Sequence, residues 1–334
     1  MNILYLVPNV LNAFGGPNTR TKRFKKEFLK DGGEIVEGKL KVSSIFTRKK
    51  IDLSYVESAT NRIALIDIPS LFFLRLRSKK TIVFIRDIYI ELFPEEYKTF
   101  RSKITYFFNK LSNFYLTLIA TSMVFPTEEM GEVFFKKNKF FPKRPFTDLP
   151  PGTHDITPNR IPPDFSEKLG ILYLGSLGYT NSGYQNFITF AETYKNQYNF
   201  FILSGDKDLK EKVTATHIKL GKVPRKAIPQ FITDNNIAYA FHTRPRNMYD
   251  DITFPIKVFD FLSFQLPFFS ERHAPVQKLL GNDYPIFASF ENNQEIHRKI
   301  KSINPQEYQE LLSLLKEIAV NNTYDKRYKK LLEQ

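Results

Sequence analysis

The sequence contains no cysteine. This excludes a disulfide scaffold, a thiolate zinc site and a cysteine nucleophile. Histidine is scarce: the five, at 154, 217, 242, 273 and 297, include no pair at helical i, i+4 spacing, which argues against a histidine metal centre. The first residues, MNILYLVPN, lack a basic segment followed by an apolar core, so no secretory signal is expected there. The most apolar long stretch, 104–125, carries Asn109, Lys110 and Asn113 in its first half. A spanning helix needs about 20 predominantly apolar residues, so this stretch reads as an amphipathic helix running into a buried strand. There is no GxGxxG after the first apolar run, which weakens a nicotinamide or flavin reading. Short internal repeats and low-complexity tracts are also missing.

What is present suits a folded α/β protein. The chain has 334 residues, 42% hydrophobic and 25% charged, enough for two domains with cores of their own. The formal charge is +14, unevenly distributed. Residues 1–150 hold 26 Lys+Arg against 15 Asp+Glu, a net +11, and the remainder holds 23 against 20. Such asymmetry points to a polyanionic partner, nucleic acid or an anionic membrane; a uniformly lysine-rich surface is the plain alternative.

Apolar runs at 3–7, 35–36, 53–56, 81–85 and 123–125 alternate with helical patterns, the local signature of a parallel sheet. Prolines at 142, 145, 150, 151, 158, 162 and 163 mark a boundary, because a segment so rich in proline rarely lies within a sheet or helix. Beyond it the rhythm restarts, with strands predicted at 171–174, 200–203, 218–220, 237–241, 267–270 and 285–287. Helices are predicted at about 184–196, 225–235, 256–264, 275–281 and 293–302, and one or two over 305–332.

Several segments carry candidate chemistry. Gly15 and Gly16 lie between the first strand and the first helix, where the backbone can approach a phosphate at a helix N-terminus; a tight turn explains them equally well. Arg86 and Asp87 follow the buried run 81–85, at the strand end that opens into the ligand crevice of α/β sheets; capping of the next helix is the alternative. His154 and Asp155 follow a Pro-Pro-Gly turn and read either as cleft residues or as linker. Gly175 and Ser176 close one strand and Gly205 the next, positions from which backbone amides can meet a diphosphate. Lys257 and Asp260 share a helix face. A lysine at a helix start is unfavourable against the dipole, a conflict that a bound diphosphate would remove. A surface i, i+3 ion pair, worth about a few tenths of a kcal/mol, is the competing reading.

In order and spacing these segments resemble the glycosyltransferases of family 4 (group 1) over nearly the whole chain. The resemblance rests on Gly15-Gly16, on Arg86-Asp87-Ile-Tyr-Ile-Glu91, and on the turn 150–155. It rests also on ILYLGSL at 171–177, on the stretch from Gly221 to Pro245, and on FPIKVFDFLSFQLP at 254–267. It implies an α/β fold of the GT-B type, two Rossmann-like domains facing each other across a cleft. The expected division is an acceptor domain over 1–165, a donor domain over 166–304, and C-terminal helices over 305–334 packing back toward the first domain. It implies a nucleotide-sugar donor, with Asp260 on the ribose and Lys257 near the diphosphate. Gly15, Gly16, Gly175, Ser176, Gly205 and Arg244 join that donor set, and Asp87 and Arg86 take the catalytic or acceptor side by analogy. The pattern departs where many members carry a first glutamate, here Ile252, and where Arg and Lys usually meet the diphosphate, here Ser176 and Ser182. Lys257, Arg244 or Arg246 would substitute for those cations. The reading needs no metal and no cofactor beyond the donor, since amides and cations stabilise the departing diphosphate, and it favours retention of configuration.

Basic clusters at 20–26, 48–50, 75–80, 98–103 and 136–144, interleaved with Phe and Tyr, suit an anionic membrane surface. With the acceptor domain at the N-terminus, they imply a lipid-linked or glycan acceptor, with Arg20, Arg23 and Lys103 on the membrane side. They imply a cytoplasmic enzyme peripheral to the inner membrane face. Nucleic acid ranks lower, because no RNP, KH or zinc-finger signature is present. Two alternatives remain: a degenerate GT-B protein that binds nucleic acid or a protein partner without transferase activity, and a nucleotide-sugar 2-epimerase. The epimerase would call for more densely placed histidines.

Overall fold

The computed structural model describes residues 1–7, 16–58, 63, 67–179 and 181–334, and the side chains of 16–18 are not described. Gly15 lies outside the described residues. The chain divides into two compact units. The first comprises Met1–Gly152, Ile252–Phe254 and Tyr324–Gln334; the second comprises Thr153–Asp251 and Pro255–Thr323.

Each unit holds one wholly parallel sheet. In the first the strands are β1 (Ile3–Val7), β2 (Glu34–Glu37), β3 (Ile51–Ser58), β4 (Ser78–Ile85), β5 (Ser122–Phe125) and β6 (Phe146–Asp148), in the order β2-β1-β3-β4-β5-β6. In the second they are β7 (Gly170–Leu174), β8 (Asn199–Leu203), β9 (Ile218–Gly221), β10 (Ile237–His242) and β11 (Phe268–Ser270), in the order β11-β10-β7-β8-β9. Parallel strands need crossover helices that cover both sheet faces, so their sequences read as continuous apolar runs. The central strands β1 and β10 are accordingly buried at every position.

The first core gathers Tyr5, Phe24, Phe28, Tyr55 and Phe84 with Tyr324, Tyr328 and Leu331 of the last helix, Tyr324–Leu332. Phe28 and Tyr328 meet with ring centroids 4.8 Å apart, and Lys330 bonds Asp148 at 2.6 Å. Of the helices over 305–334, only this last one belongs to the first unit. The preceding helix, Pro305–Asn321, is capped by a reciprocal Asn304–Glu307 box and buries Tyr308 in the second unit. The Tyr308 hydroxyl donates to the Ala238 carbonyl at 2.6 Å.

The division therefore differs from the expected boundaries at 165/166 and 304/305. Residues 153–165 belong to the second unit because their polar groups are satisfied there. The Thr153 N–H donates to the Asn322 carbonyl at 2.8 Å, the His154 N–H to Ser263 Oγ at 3.1 Å, and Arg160 to the Ile237 carbonyl at 2.7 Å. Residues 285–287, predicted as a strand, form only an isolated bridge from Phe287 to Ser270. Pro285 has no N–H for a ladder there. No helix among the described residues is long and apolar enough to cross a membrane.

Candidate functional site

In the second unit β8 and β9 lie to one side of β7 while β10 and β11 lie to the other. The strand order reverses between β7 and β10, and in open parallel sheets ligands bind outside the carboxyl ends at such a switch. Three elements converge there: the turn after β7, the loop after β10, and the helix Ile256–Ser263.

The turn after β7 begins at Gly175, whose φ of +131° disfavours any side chain. Lys257, half-buried on the first turn of the helix, extends toward it. Its Nζ lies 4.9 Å from the Tyr173 ring centroid and would sit 3.2 Å from a Cβ at Gly175. Among the described residues Lys257 forms no ion pair. Burial pushes its ammonium down to about 8, the nearby Arg244 guanidinium acts in the same direction, and Asp250 and Asp260 oppose them.

Arg244 is already neutralised. Its Nη1 lies 2.5 Å from Asp250 Oδ1, with side chains 11% and 2% exposed, and its guanidinium covers the Tyr179 ring at 4.8 Å. Asn247 donates to the other Asp250 oxygen at 2.6 Å. The site thus holds one balanced Arg–Asp pair beside one lysine that forms no ion pair among the described residues.

Ser176 and Gly205 belong to a different cluster. Asp206, just beyond β8, accepts from Ser176 Oγ at 2.8 Å, the Leu177 N–H at 2.6 Å and the Gly178 N–H at 3.2 Å. Burial raises the Asp206 carboxyl, but these donors and Lys212 outweigh it and hold the group below the usual carboxylate range. The amides of the turn after β7 are therefore directed at the protein's own carboxylate. A Cβ at Gly205 would meet nothing within 4 Å, so nothing in its surroundings requires glycine.

Asp260 and Lys257, although three residues apart, do not pair. Asp260 is bound by Arg225, which also donates to the His154 carbonyl at 3.2 Å and lies over the Phe264 ring at 4.9 Å. His154 pairs with Asp155 at 3.0 Å. Arg225 and Asp206 were assigned no role from sequence. Asp206 had a visible signal, an acidic residue after a strand-ending glycine; Arg225 lies within the stretch 221–245 without a distinguishing spacing.

His242 and His273, 31 residues apart in the chain, come together with ring centroids 5.5 Å apart. Both are fully buried. Burial drives His242 well below the ordinary histidine range, with Lys257, His273 and Arg244 adding repulsion. Burial also lowers His273, against the pull of Asp250 and the Arg244 carbonyl. They form a neutral packed pair, not an accessible acid–base couple. Among the described residues no group of three His, Asp or Glu could hold a metal ion.

The loop after β10 contacts the helix Tyr184–Thr193 through Gly183, its N-cap, at φ +65°. A Cβ there would lie 1.9 Å from the Thr243 carbonyl oxygen. Gly183→Ala is therefore expected to destabilise the chain by about 2–4 kcal/mol, from backbone strain and displaced Thr243 together. Denaturant unfolding of the variant checks this; a loss below about 1 kcal/mol would mean that the loop relaxes freely.

In the first unit, Arg86 and Asp87 follow β4 and are half-buried. Asp87 Oδ1 accepts the Tyr89 N–H at 2.8 Å, and the N-cap position of the short helix Tyr89–Leu92 is Ile88. Gly16 starts the helix Gly16–Lys30. Arg20 and Arg23, expected on a membrane-facing surface, are instead 3% and 5% exposed. Arg20 lies 3.1 Å from Glu57 and 3.7 Å over the Phe84 ring, and Arg23 turns toward Tyr324. Their helix presents them to the sheet and to the last helix, so neither contributes to an exposed basic patch. Lys103 is exposed.

No family model and no curated protein matches the sequence. Solved structures do. An alpha-glucosyltransferase in complex with UDP and a 13-mer DNA containing a HMU base superposes with a TM-score of 0.68 at 11% identity, over 99% of this chain and 98% of that one. A glycosyltransferase from Rickettsia africae gives 0.66 at 11%, over 99% and 97%. The lipopolysaccharide outer core galactosyltransferase WaaB gives 0.61 at 10%, over 100% and 99%. A chain of the GtfA/B complex, of which this protein spans 58%, gives 0.56 at 11% identity, over 87% of this chain. The architecture is thus the pair of Rossmann-like domains of GT-B glycosyltransferases.

Proposed function

We propose that the protein is a glycosyltransferase that moves a sugar from a nucleotide-sugar to a hydroxyl of a lipid-linked or glycan acceptor. The observation that carries this reading is Lys257: a half-buried ammonium without an ion pair among the described residues, directed at the Gly175 turn where the sheet order reverses. Keeping a cation desolvated and unpaired is costly, and a bound anion offsets that cost. A diphosphate at this turn, with Lys257 on its oxygens and the Arg244–Asp250 pair behind, gives a leaving group stabilised by protein charge alone. The reaction in this reading is metal-independent and retaining. Asp260, positioned by Arg225, takes the ribose. Asp87 and Arg86, after β4 of the first unit, take the acceptor side. Such an enzyme would work in the cytoplasm at the inner membrane face.

A hydroxyl on DNA is the second acceptor reading. It is favoured by the net charge of +14 and by the DNA complex among the similar structures. A catalytically silent GT-B protein is the third.

The test is thermal stabilisation by nucleoside diphosphates and their sugars with EDTA present. One nucleotide class should raise the unfolding midpoint, since a ligand at 100 times its Kd adds roughly 2.7 kcal/mol, and the shift should vanish in Asp260→Ala. No shift with any nucleotide would remove the transferase reading.

A further inference from the structure

The helix Phe100–Ile119 shows an apolar stripe on the face opposite its core contacts. Ser112, Leu116, Thr117 and Ile119 face the first unit's core. Phe100, Ile104, Phe107, Leu111 and Leu118 are 82%, 40%, 62%, 46% and 48% exposed. Their steps of four, three, four and seven hold one line at 3.6 residues per turn, over about 27 Å. Exposed Lys103 falls along one flank of this line and exposed Arg101 along the other, while Lys110 turns inward to Glu91 and Asn138; the helix itself contains no Asp or Glu.

The neighbouring segment extends the surface. Phe141 packs on Phe114 at 5.4 Å, and Arg144 donates to the Thr117 and Leu118 carbonyls at 3.1 and 2.9 Å. Held in this way, the segment leaves Phe140 98% exposed between the exposed Lys139 and Lys143.

An outward face on a soluble helix is normally polar, and contiguous exposed apolar patches mark interaction sites. The flanking charge decides among occupants. A second copy would set Arg101 and Lys103 against the same cations, with no carboxylate on the helix to meet them. Duplex DNA would engage the cations but leave the Phe and Leu side chains in water, since its affinity comes from phosphate contacts. An anionic bilayer accepts both, with rings and aliphatic chains at the headgroup boundary and cations on lipid phosphates. We infer that the first unit docks on an anionic lipid bilayer through the stripe from Phe100 to Leu118 together with Phe140. This deepens the acceptor side of the transferase reading, and it is independent of the donor-site chemistry.

The test is co-sedimentation of the full chain with vesicles of phosphatidylcholine alone, or of equal parts phosphatidylcholine and phosphatidylglycerol. The expected result is binding to the mixed vesicles that weakens with salt. Phe107→Ser with Leu111→Ser should reduce it about tenfold or more, and Arg101→Glu with Lys103→Glu should also reduce it. Circular dichroism and nucleotide-induced thermal shifts of the variants report folding and donor binding separately, so failure of docking and failure of the transferase reading are distinguishable. Three outcomes overturn the inference: no binding of the parent chain to either vesicle; a dimer by light scattering that the Phe107/Leu111 variant dissociates; or binding to a DNA duplex with none to vesicles.

Discussion

Lys257→Met is expected to weaken binding of the donor's nucleoside diphosphate by roughly 10²-fold and to lower turnover by roughly 10²- to 10³-fold, the range found when a preorganised donor to a developing anion is removed. The methionine keeps the length and apolar stem of the side chain, so the packing on Tyr173 survives and the loss reports charge. With Lys257 held down to about 8, the free protein loses this proton as pH rises through 8, and an anion favours the protonated form. Affinity in the parent protein should therefore fall between about pH 7 and 9.5, by up to tenfold per unit. Lys257→Arg should bind with little pH dependence, because guanidinium stays charged. Stability moves the other way. The unfolded chain holds the proton at the ordinary lysine value, so this group's contribution to stability increases as pH rises above 8. Calorimetric titrations across this range check the prediction, and equal affinity in Lys257→Met and the parent would place the diphosphate elsewhere.

Glu57→Ala is expected to cost about 3–5 kcal/mol of stability, because removing one member of a buried ion pair leaves the other charge uncompensated. Glu57 is 2% exposed and receives Arg20 Nη1 at 3.1 Å, Thr21 Oγ1 at 3.0 Å and the Tyr5 hydroxyl. Arg20 also reaches the Tyr55 hydroxyl at 3.4 Å. The network joins β1, β3 and the helix Gly16–Lys30 at the sheet's own switch between β1 and β3. The double variant Arg20→Met with Glu57→Leu should recover much of the loss, since replacing both charges with apolar residues is often near neutral. Denaturant midpoints of the two variants make the comparison. A Glu57→Ala protein as stable as the parent would show that Arg20 finds another partner.

The strands were legible because a parallel strand covered on both faces leaves an uninterrupted apolar run, as in β4 and β10. Residues 285–287 show the limit: an apolar segment at a sheet edge becomes a strand only if a ladder forms beside it. The helix 100–119 was legible as amphipathic, but sequence could not say that its Phe100–Leu118 line faces outward, because apolar periodicity marks a stripe without naming what covers it. Within the basic cluster at 20–26, Arg20 and Arg23 turn inward for the converse reason, while Lys22 and Lys26 stay exposed. Charge marks a surface only until a buried carboxylate is brought to meet it, as Glu57 is to Arg20.

At the candidate site, residue types and their local frame are written in the chain: a glycine turn after an apolar strand, and Lys257 on the first turn of a helix. The partners of each charge come from the folded arrangement. It turned Lys257 toward Gly175 and gave Asp260 to Arg225, directed the Leu177 and Gly178 amides to Asp206, and paired Arg244 with Asp250. Backbone periodicity is set over a few residues and is written in local pattern. Charge pairing and desolvation depend on distances between segments far apart in the chain, and those distances exist only once the sheet has formed.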